Sequence, residues 1–374
     1  MKMKNKLIVL YEENKNNPKN TWSGTSYQLR EALKEYFDVI FIDSSDVFLL
    51  RIIKMISKRI EKKTASYIIK PIYEKLHEIE INYRLRQYKD IPVLEIAENV
   101  IVHNDFYLYR DMSYACYPYV LDKLKNDKND YGPGMLNSVS KKALNRRIER
   151  EELFHKKCKG EFYMGHWVTN LMKEYYPEYA NKFIYAGGGL NSEFNLSTTK
   201  NKKDDIKRIL FVGIDFKRKG GNILLKAFNL LREKYGEKIE LLIVGPNIIK
   251  EDNGVKYLGN LSREKISELF SLCDIYCMPS RFEAYGLVFI EALSYGLPIV
   301  AYNDFEMSHF VQNGKNGYLI DKYSEEELFN ALVNTINDES IFDYCKNKQM
   351  EYIGYYSWKN TSNNIYGFIV EGKM

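Results

Sequence analysis

Residues 277–301 read CMPSRFEAYGLVFIEALSYGLPIVA, and this stretch decides the fold. Asp274 to Met278 is a short apolar run closed by Pro279, the pattern of a buried strand. Ser280 to Tyr285 is a polar loop ending at Gly286. From Leu287 the apolar positions Leu287, Phe289, Ile290 and Leu293 keep a helical period, and Gly296-Leu297-Pro298 stops that helix. A second apolar strand, Ile299 to Tyr302, follows at once. Strand, loop, helix and strand in this order form a parallel βαβ unit. In such sheets ligands collect at the carboxyl ends of the strands.

Glu283 on the loop and Glu291 on the helix are eight residues apart. If the segment between them rises as a helix, they stand roughly 12 Å apart along its axis, about the span from a sugar ring to a ribose across a diphosphate. The N–H groups around Tyr285, Gly286 and Leu287 open the helix and favour an anion. Two glutamates at this spacing also describe an ordinary solvated helix face, so the rest of the chain has to decide.

A chain of 374 residues, 45% of them hydrophobic, has room for two domains with proper cores. Charged residues make up 28%, which fits a soluble chain, and the formal net charge of +5 is too small to call for nucleic acid. The 31 tyrosines suit sugar stacking and plain cores equally. Cys116, Cys158, Cys273, Cys277 and Cys345 fit neither a zinc spacing nor a disulfide framework, which points to a reducing cytoplasm. No apolar run approaches spanning length, and Leu7 to Tyr11 is too short for a signal-peptide core. The expected location is the cytoplasm, with at most peripheral attachment to the inner face of the plasma membrane.

Leu7 to Tyr11 reads as the first strand, followed by the turn Trp22-Ser23-Gly24-Thr25, a helix from Ser26 to Tyr36 and a strand from Val39 to Ile42. Residues 44–90 read as a helical insertion. In it Leu49, Ile52, Ile53, Ile56 and Ile60 keep helical spacing among Arg51, Lys54, Lys58, Arg59, Lys62 and Lys63. Such a helix packs on its own domain, lies on an anionic membrane or recognises an acidic acceptor. Val93-Leu94 and Val100 to His103 read as strands, Arg146 to Cys158 as a helix, and Glu161 to Met164 as a strand. A helix from His166, a strand from Phe183 to Ala186 and the turn Gly187-Gly188-Gly189 lead to a polar stretch from Ser192 to Asp205.

The βα rhythm then restarts. Arg208 to Gly213 is a strand, and Lys217, Arg218 and Lys219 stand between it and Gly220-Gly221 at the head of the helix Asn222 to Tyr235. A basic loop flanked by glycines ahead of a helix is a diphosphate cradle or a solvated turn. Strands Glu240 to Val244 and Val255 to Gly259 follow, then a helix capped by Ser262. Helices Ser324 to Asn337 and Glu339 to Tyr352 close the rhythm.

Together these stretches resemble the retaining glycosyltransferases of family 4, the glycosyl transferases group 1, closely from Arg208 to Leu319 and more loosely before. The resemblance rests on Glu283 and Glu291 as an E-x7-E pair, the Gly-Leu-Pro stop, the Lys219-Gly220-Gly221 loop and the WSGTSY turn. It extends to Tyr109-Arg110-Asp111 with Cys116-Tyr117-Pro118, to Asn303-Asp304-Phe305-Glu306 and to Tyr356-Ser357-Trp358. It implies an α/β GT-B fold, two Rossmann-like βαβ domains facing across a cleft, with a C-terminal helix crossing back to the first. In this chain that gives an acceptor-binding domain over 1–195, a linker over 196–206, a nucleotide-sugar-binding domain over 207–355 and the returning helix over 356–374.

The resemblance also implies roles. Glu283 holds the transferred sugar and Glu291 the ribose. Lys219 meets the diphosphate, and Arg218 stands in for the family's usual second cation, whose position is Ile214 here. Gly24, Gly213, Gly259, Ser280, Arg281, Ala284, Tyr285, Gly286 and Leu287 border the donor. Trp22, Thr25, His103 and Asp111 lie on the acceptor side, and Asp111 joins Glu283, Lys219 and Arg218 as a catalytic candidate. The implied reaction moves a sugar from a UDP- or GDP-sugar to a glycan, lipid-linked or protein-linked acceptor in cell-surface polysaccharide or glycoconjugate synthesis. No D-x-D triplet occurs, so neither a metal nor another cofactor is expected. The competing readings are a nucleotide-sugar 2-epimerase on the same fold, a non-catalytic nucleotide-sugar-binding subunit and a membrane-surface scaffold.

Overall fold

Unbroken runs of Leu, Ile and Val, with no polar alternation, build sheets that are covered on both faces. Leu7, Ile8, Val9 and Leu10 are all fully buried, as are Ile209, Leu210 and Phe211. The computed structural model describes residues 4–45, 70–124, 141–191, 205–247 and 252–372. It divides into two units, one of Met1–Lys123, Gly134–Asn191 and Trp358–Met374, the other of Leu124–Pro133 and Ser192–Ser357.

The first unit is a parallel sheet of six strands: β1 (Lys6–Tyr11), β2 (Asp38–Asp43), β3 (Val93–Ile96), β4 (Phe106–Arg110), β5 (Gly160–Tyr163) and β6 (Phe183–Tyr185). Their order is β2-β1-β3-β4-β5-β6. The helices are α1 (Thr25–Leu33), α2 (Lys70–Leu85), α3 (Tyr117–Leu124), α4 (Lys141–Lys157) and α5 (His166–Tyr175).

The second unit repeats the plan with β7 (Lys207–Val212), β8 (Ile239–Val244), β9 (Val255–Gly259), β10 (Ile275–Cys277), β11 (Ile299–Tyr302) and β12 (Gly317–Ile320). Their order is β12-β11-β10-β7-β8-β9, again parallel throughout. Its helices are α6 (Gly221–Tyr235), α7 (Arg263–Leu272), α8 (Leu287–Ser294), α9 (Met307–Phe310), α10 (Glu325–Asn337) and α11 (Glu339–Tyr355). Ser262 and Ser324 cap α7 and α10 by accepting the N–H of Lys265 and Glu327. Last comes α12 (Trp358–Glu371), which packs in the first unit, where Asn364 donates to the Ala186 carbonyl at 3.2 Å.

One expected strand is absent. Val100 to His103 is irregular, and its backbone donors are taken by side chains: Val100 N–H by Glu95 at 3.1 Å, Ile101 N–H by Glu78 at 3.1 Å and His103 N–H by Asn82 at 2.7 Å. The sheet position beside β3 goes to β4, three residues later. The basic helical run from Leu49 to Lys63 and the polar linker 196–204 lie outside the described residues. Among the described residues no helix is long and apolar enough to cross a membrane.

Candidate functional site

β7 and β10 are neighbours in the second sheet, so the loops that leave their carboxyl ends, 213–220 and 278–286, emerge side by side. The Arg281 N–H donates to the Arg218 carbonyl at 3.1 Å and ties the two loops together. Gly220 allows that approach. It takes φ +82 at the head of α6, and a Cβ there would stand 2.2 Å from the Pro279 carbonyl oxygen. Gly213 does something different: a Cβ would lie 2.1 Å from Cδ of Lys219, because the lysine stem runs directly across the glycine.

That path brings Lys219 Nζ to 3.0 Å from Glu283 Oε1. The same oxygen accepts from Ser280 Oγ at 3.0 Å and lies 3.4 Å from Arg218 Nη1. Arg218 is itself held, by Nε to Asp215 Oδ2 at 2.9 Å and by Nη1 to the Phe282 carbonyl at 2.5 Å. Burial pushes the Glu283 carboxyl up, but Lys219, Arg218 and the hydrogen bonds of Lys219 and Ser280 outweigh it and hold the group below the usual carboxylate range. Glu283 is therefore an anion at neutral pH.

Glu291 is treated in the opposite way. It sits on the second turn of α8, and burial raises its carboxyl to about 7, with only the Arg263 charge opposing. The helical span assumed between the two glutamates does not hold, since only the part from Leu287 is helical. Ala284 and Tyr285 belong to a bend closed by Gly286 at φ +106, so an axial-rise estimate has no meaning across it.

The remaining residues expected around the donor divide by what their side chains do. Ser280 is buried and anchors Glu283. The Tyr285 ring is buried against Phe310, with centroids 5.3 Å apart. The Arg281 guanidinium lies 4.2 Å over the Tyr323 ring. Ala284 and Leu287 are half-buried on either side of Gly286, and Gly259 ends β9 at φ +62.

Sequence reasoning left Gly245 and Phe305 outside the site. Gly245 has φ +118, and a Cβ on it would meet the Gly213 carbonyl oxygen at 2.5 Å, so it sets the spacing of the β7 and β8 ends. Phe305 takes φ +51 just after β11 and stands edge-on to Phe282 at 5.0 Å. The signal for the first was a Gly-Pro directly after an apolar strand. The clamp on Arg218 was also readable, as an acid three residues before it at Asp215.

In the first unit, Asp111 follows β4 directly and is half-buried. Burial raises its carboxyl above the ordinary value, against backbone hydrogen bonds and the Arg110 charge. The backbone around it is set by a buried cluster. Arg110 lies 2.7 Å from Glu151 and 2.5 Å from Glu161, which also accepts from Tyr163 at 2.7 Å, while Ser113 donates to Glu151 at 2.7 Å. Trp22 and Gly24 form the turn before α1, Thr25 opens that helix, and the Trp22 ring stands 6.3 Å from that of Tyr109 near the end of β4. Trp22 and Ser23 have φ of +45 and +56, a conformation that costs a residue with a side chain about 1–2 kcal/mol.

His103 is not brought to that edge. It is exposed and precedes β4 by three residues, at the amino end of a strand that runs for about 16 Å. A parallel sheet puts Asp111 and His103 at opposite edges, so the structure does not bring these two candidates together.

A family model described as "Glycosyl transferases group 1" matches residues 193–357. An uncharacterized glycosyltransferase of Haemophilus influenzae is 33% identical over 40% of this chain and 45% of its own length. The D-inositol 3-phosphate glycosyltransferase of Corynebacterium urealyticum is 28% identical over 42% of each chain. The chain thus spans less than half the length of these two relatives. Among solved structures, WaaG, a glycosyltransferase involved in lipopolysaccharide biosynthesis, superposes with a TM-score of 0.63 at 15% identity, covering 98% of this chain and 99% of its own. That likeness shows the fold, the two parallel α/β units of the GT-B class. The loops around Lys219 and Glu283 lie inside the segment, residues 193–357, that matches the glycosyl transferases group 1 model.

Proposed function

We propose that the chain is a retaining glycosyltransferase that moves a sugar from a UDP- or GDP-sugar to a glycan, lipid-linked or protein-linked acceptor. The observation that carries this reading is the contact of Lys219 and Arg218 with Glu283 at the carboxyl edge of β7 and β10. When the bond between sugar and diphosphate breaks, negative charge gathers on the departing phosphate. A preorganised ammonium and the N–H groups that open α8 stabilise that charge without reorganising at the moment of reaction. Glu283, kept anionic by its partners, accepts from hydroxyls of the transferred sugar, and Glu291 accepts from those of the ribose. Arg218, clamped by Asp215, holds the loop that carries both cations. Asp111 orients the acceptor hydroxyl, which attacks from the face the diphosphate leaves, so the anomeric configuration is kept.

In this reading Lys219 and Arg218 supply the positive charge, and the reaction proceeds without a metal. The five cysteines are all free and buried, which suits a reducing compartment, and the cytoplasm or the inner face of its membrane is the proposed location. The test is turnover of a panel of nucleoside diphosphate sugars in EDTA by the wild type and Glu283→Gln. Release of nucleoside diphosphate from one donor, lost in the variant, is the expected result. Formation of an epimer without that release would replace the transferase by an isomerase, and failure to act on any donor would leave a binding subunit.

A further inference from the structure

Two residues with side chains, Trp22 and Ser23, precede Gly24 in left-handed backbone, and the Thr25 N–H closes this turn on the Trp22 carbonyl. Glycine adopts that conformation freely, but the other two do so only where neighbours over-determine it. Asn191 supplies that support. Its Nδ2 donates to the Ser23 carbonyl at 2.8 Å and reaches Thr25 Oγ1 at 3.4 Å, while its Oδ1 accepts the indole N–H of Trp358 at 3.0 Å. One amide thus uses both ends, and Asn191 and Trp358 are 8% and 6% exposed, so water competes little for these bonds.

Trp358 is fixed in turn. A Cβ on Gly189 would stand 2.5 Å from the Trp358 backbone nitrogen, so that approach requires glycine. Its ring meets Tyr109 edge-on at 6.4 Å, and Tyr109 meets Trp22 at 6.3 Å and donates to the Gly187 carbonyl at 2.8 Å. The chain leaves this unit after Asn191 and returns at Trp358, so the outgoing and returning segments are fastened to the turn through one side chain.

We infer that Asn191, oriented by Trp358, is a positioning residue that keeps the Trp22-Ser23-Gly24 turn left-handed, and that this form of the turn is the one competent for transfer. The inference rests on the transferase reading. Neither an aspartate nor a leucine replaces the amide, since the role needs a donor for Ser23 and an acceptor for the indole together.

The test uses strain relief. Glycine at 23 makes the left-handed form free, so Ser23→Gly should compensate for a lost Asn191. Two readouts are taken: donor turnover, and 19F NMR of protein labelled with 5-fluorotryptophan, whose three tryptophans are Trp22, Trp167 and Trp358. Asn191→Ala should lower kcat about tenfold with donor KM changed less than about twofold, and should shift or broaden the Trp22 line while leaving Trp167 in place. Adding Ser23→Gly to Asn191→Ala should recover most of the turnover and the Trp22 line. A variant that turns over like the wild type, or a loss that Ser23→Gly does not recover, overturns the inference. Should Asn191→Ala fail to fold, Asn191→Asp keeps the shape of the side chain and the acceptor for the indole while removing the donor for Ser23, and the same rescue decides. If the wild type turns over no donor, the transferase reading fails, and the 19F lines still decide whether Asn191 holds the turn.

Discussion

Lys219 Nζ lies 3.0 Å from Glu283 Oε1, and each partner is held in place by a different device. The lysine stem is laid along Gly213, where only the absence of a side chain leaves it room. The carboxylate is pinned by Ser280 from its own loop. The two loops come from strands adjacent in the sheet but far apart in sequence, so the contact is a product of the parallel topology.

Glu283→Gln keeps the shape of the side chain and removes its charge. It should lower kcat about 100-fold, read from steady-state release of nucleoside diphosphate. Lys219 then loses its carboxylate and Arg218 keeps only Asp215, so the melting temperature should fall by about 2–4 °C.

Gly213→Ala and Gly317→Ala should separate function from folding. The added methyl at 213 meets a flexible lysine stem, which moves aside and misplaces the ammonium, so turnover should fall at least about tenfold with the melting temperature nearly unchanged. At Gly317, with φ +147, the methyl would lie 1.8 Å from the Ile299 carbonyl oxygen. Backbone cannot yield as a lysine does, and that variant should lose more than about 4 kcal/mol, seen in denaturant unfolding.

Glu291 gives a pH signature. Its carboxyl is raised to about 7 in the fold, so the stability it contributes is full below the ordinary carboxylate range and is lost as pH rises through 7. Glu291→Gln should therefore melt like the wild type at pH 5 and about 2–4 °C higher at pH 8. Hydroxyl donors favour the ionised form, so donor affinity of the wild type should rise between pH 6 and 8, and this rise should vanish in the variant.

Arg110→Met should unfold the first unit. It strands Glu151 and Glu161 in the core without their cation, at a cost of about 3–5 kcal/mol, measurable by urea titration. Burial pushes the Glu161 carboxyl up, yet Arg110 and His155 hold it well below the usual range, so its contribution is present at neutral pH and lost on acidification.

Much of this was legible in the residues because it is local. Apolar runs bounded by glycine and proline marked β10, α8 and β11, and a serine cap marked α7. Position relative to a sheet edge was not legible. Val100 to His103 has the composition of a strand, but Glu95, Glu78 and Asn82 take its N–H groups, and the last two reach it from α2, well back in the sequence. With that strand lost, His103 falls at the opposite edge from Asp111. The left-handed backbone of Phe305 and the Asn191–Trp358 bond were equally hidden, since neither residue type announces the partner that over-determines it.

The most direct measurement is the equilibrium binding of UDP and GDP, by titration calorimetry, to the wild type and to Lys219→Met. One of the two nucleotides should bind the wild type, and bind the variant at least about tenfold more weakly, the loss of one charge-assisted hydrogen bond to phosphate. Binding of neither nucleotide, or equal affinity in the variant, would contradict the assignment of the Lys219–Glu283 edge as the diphosphate site.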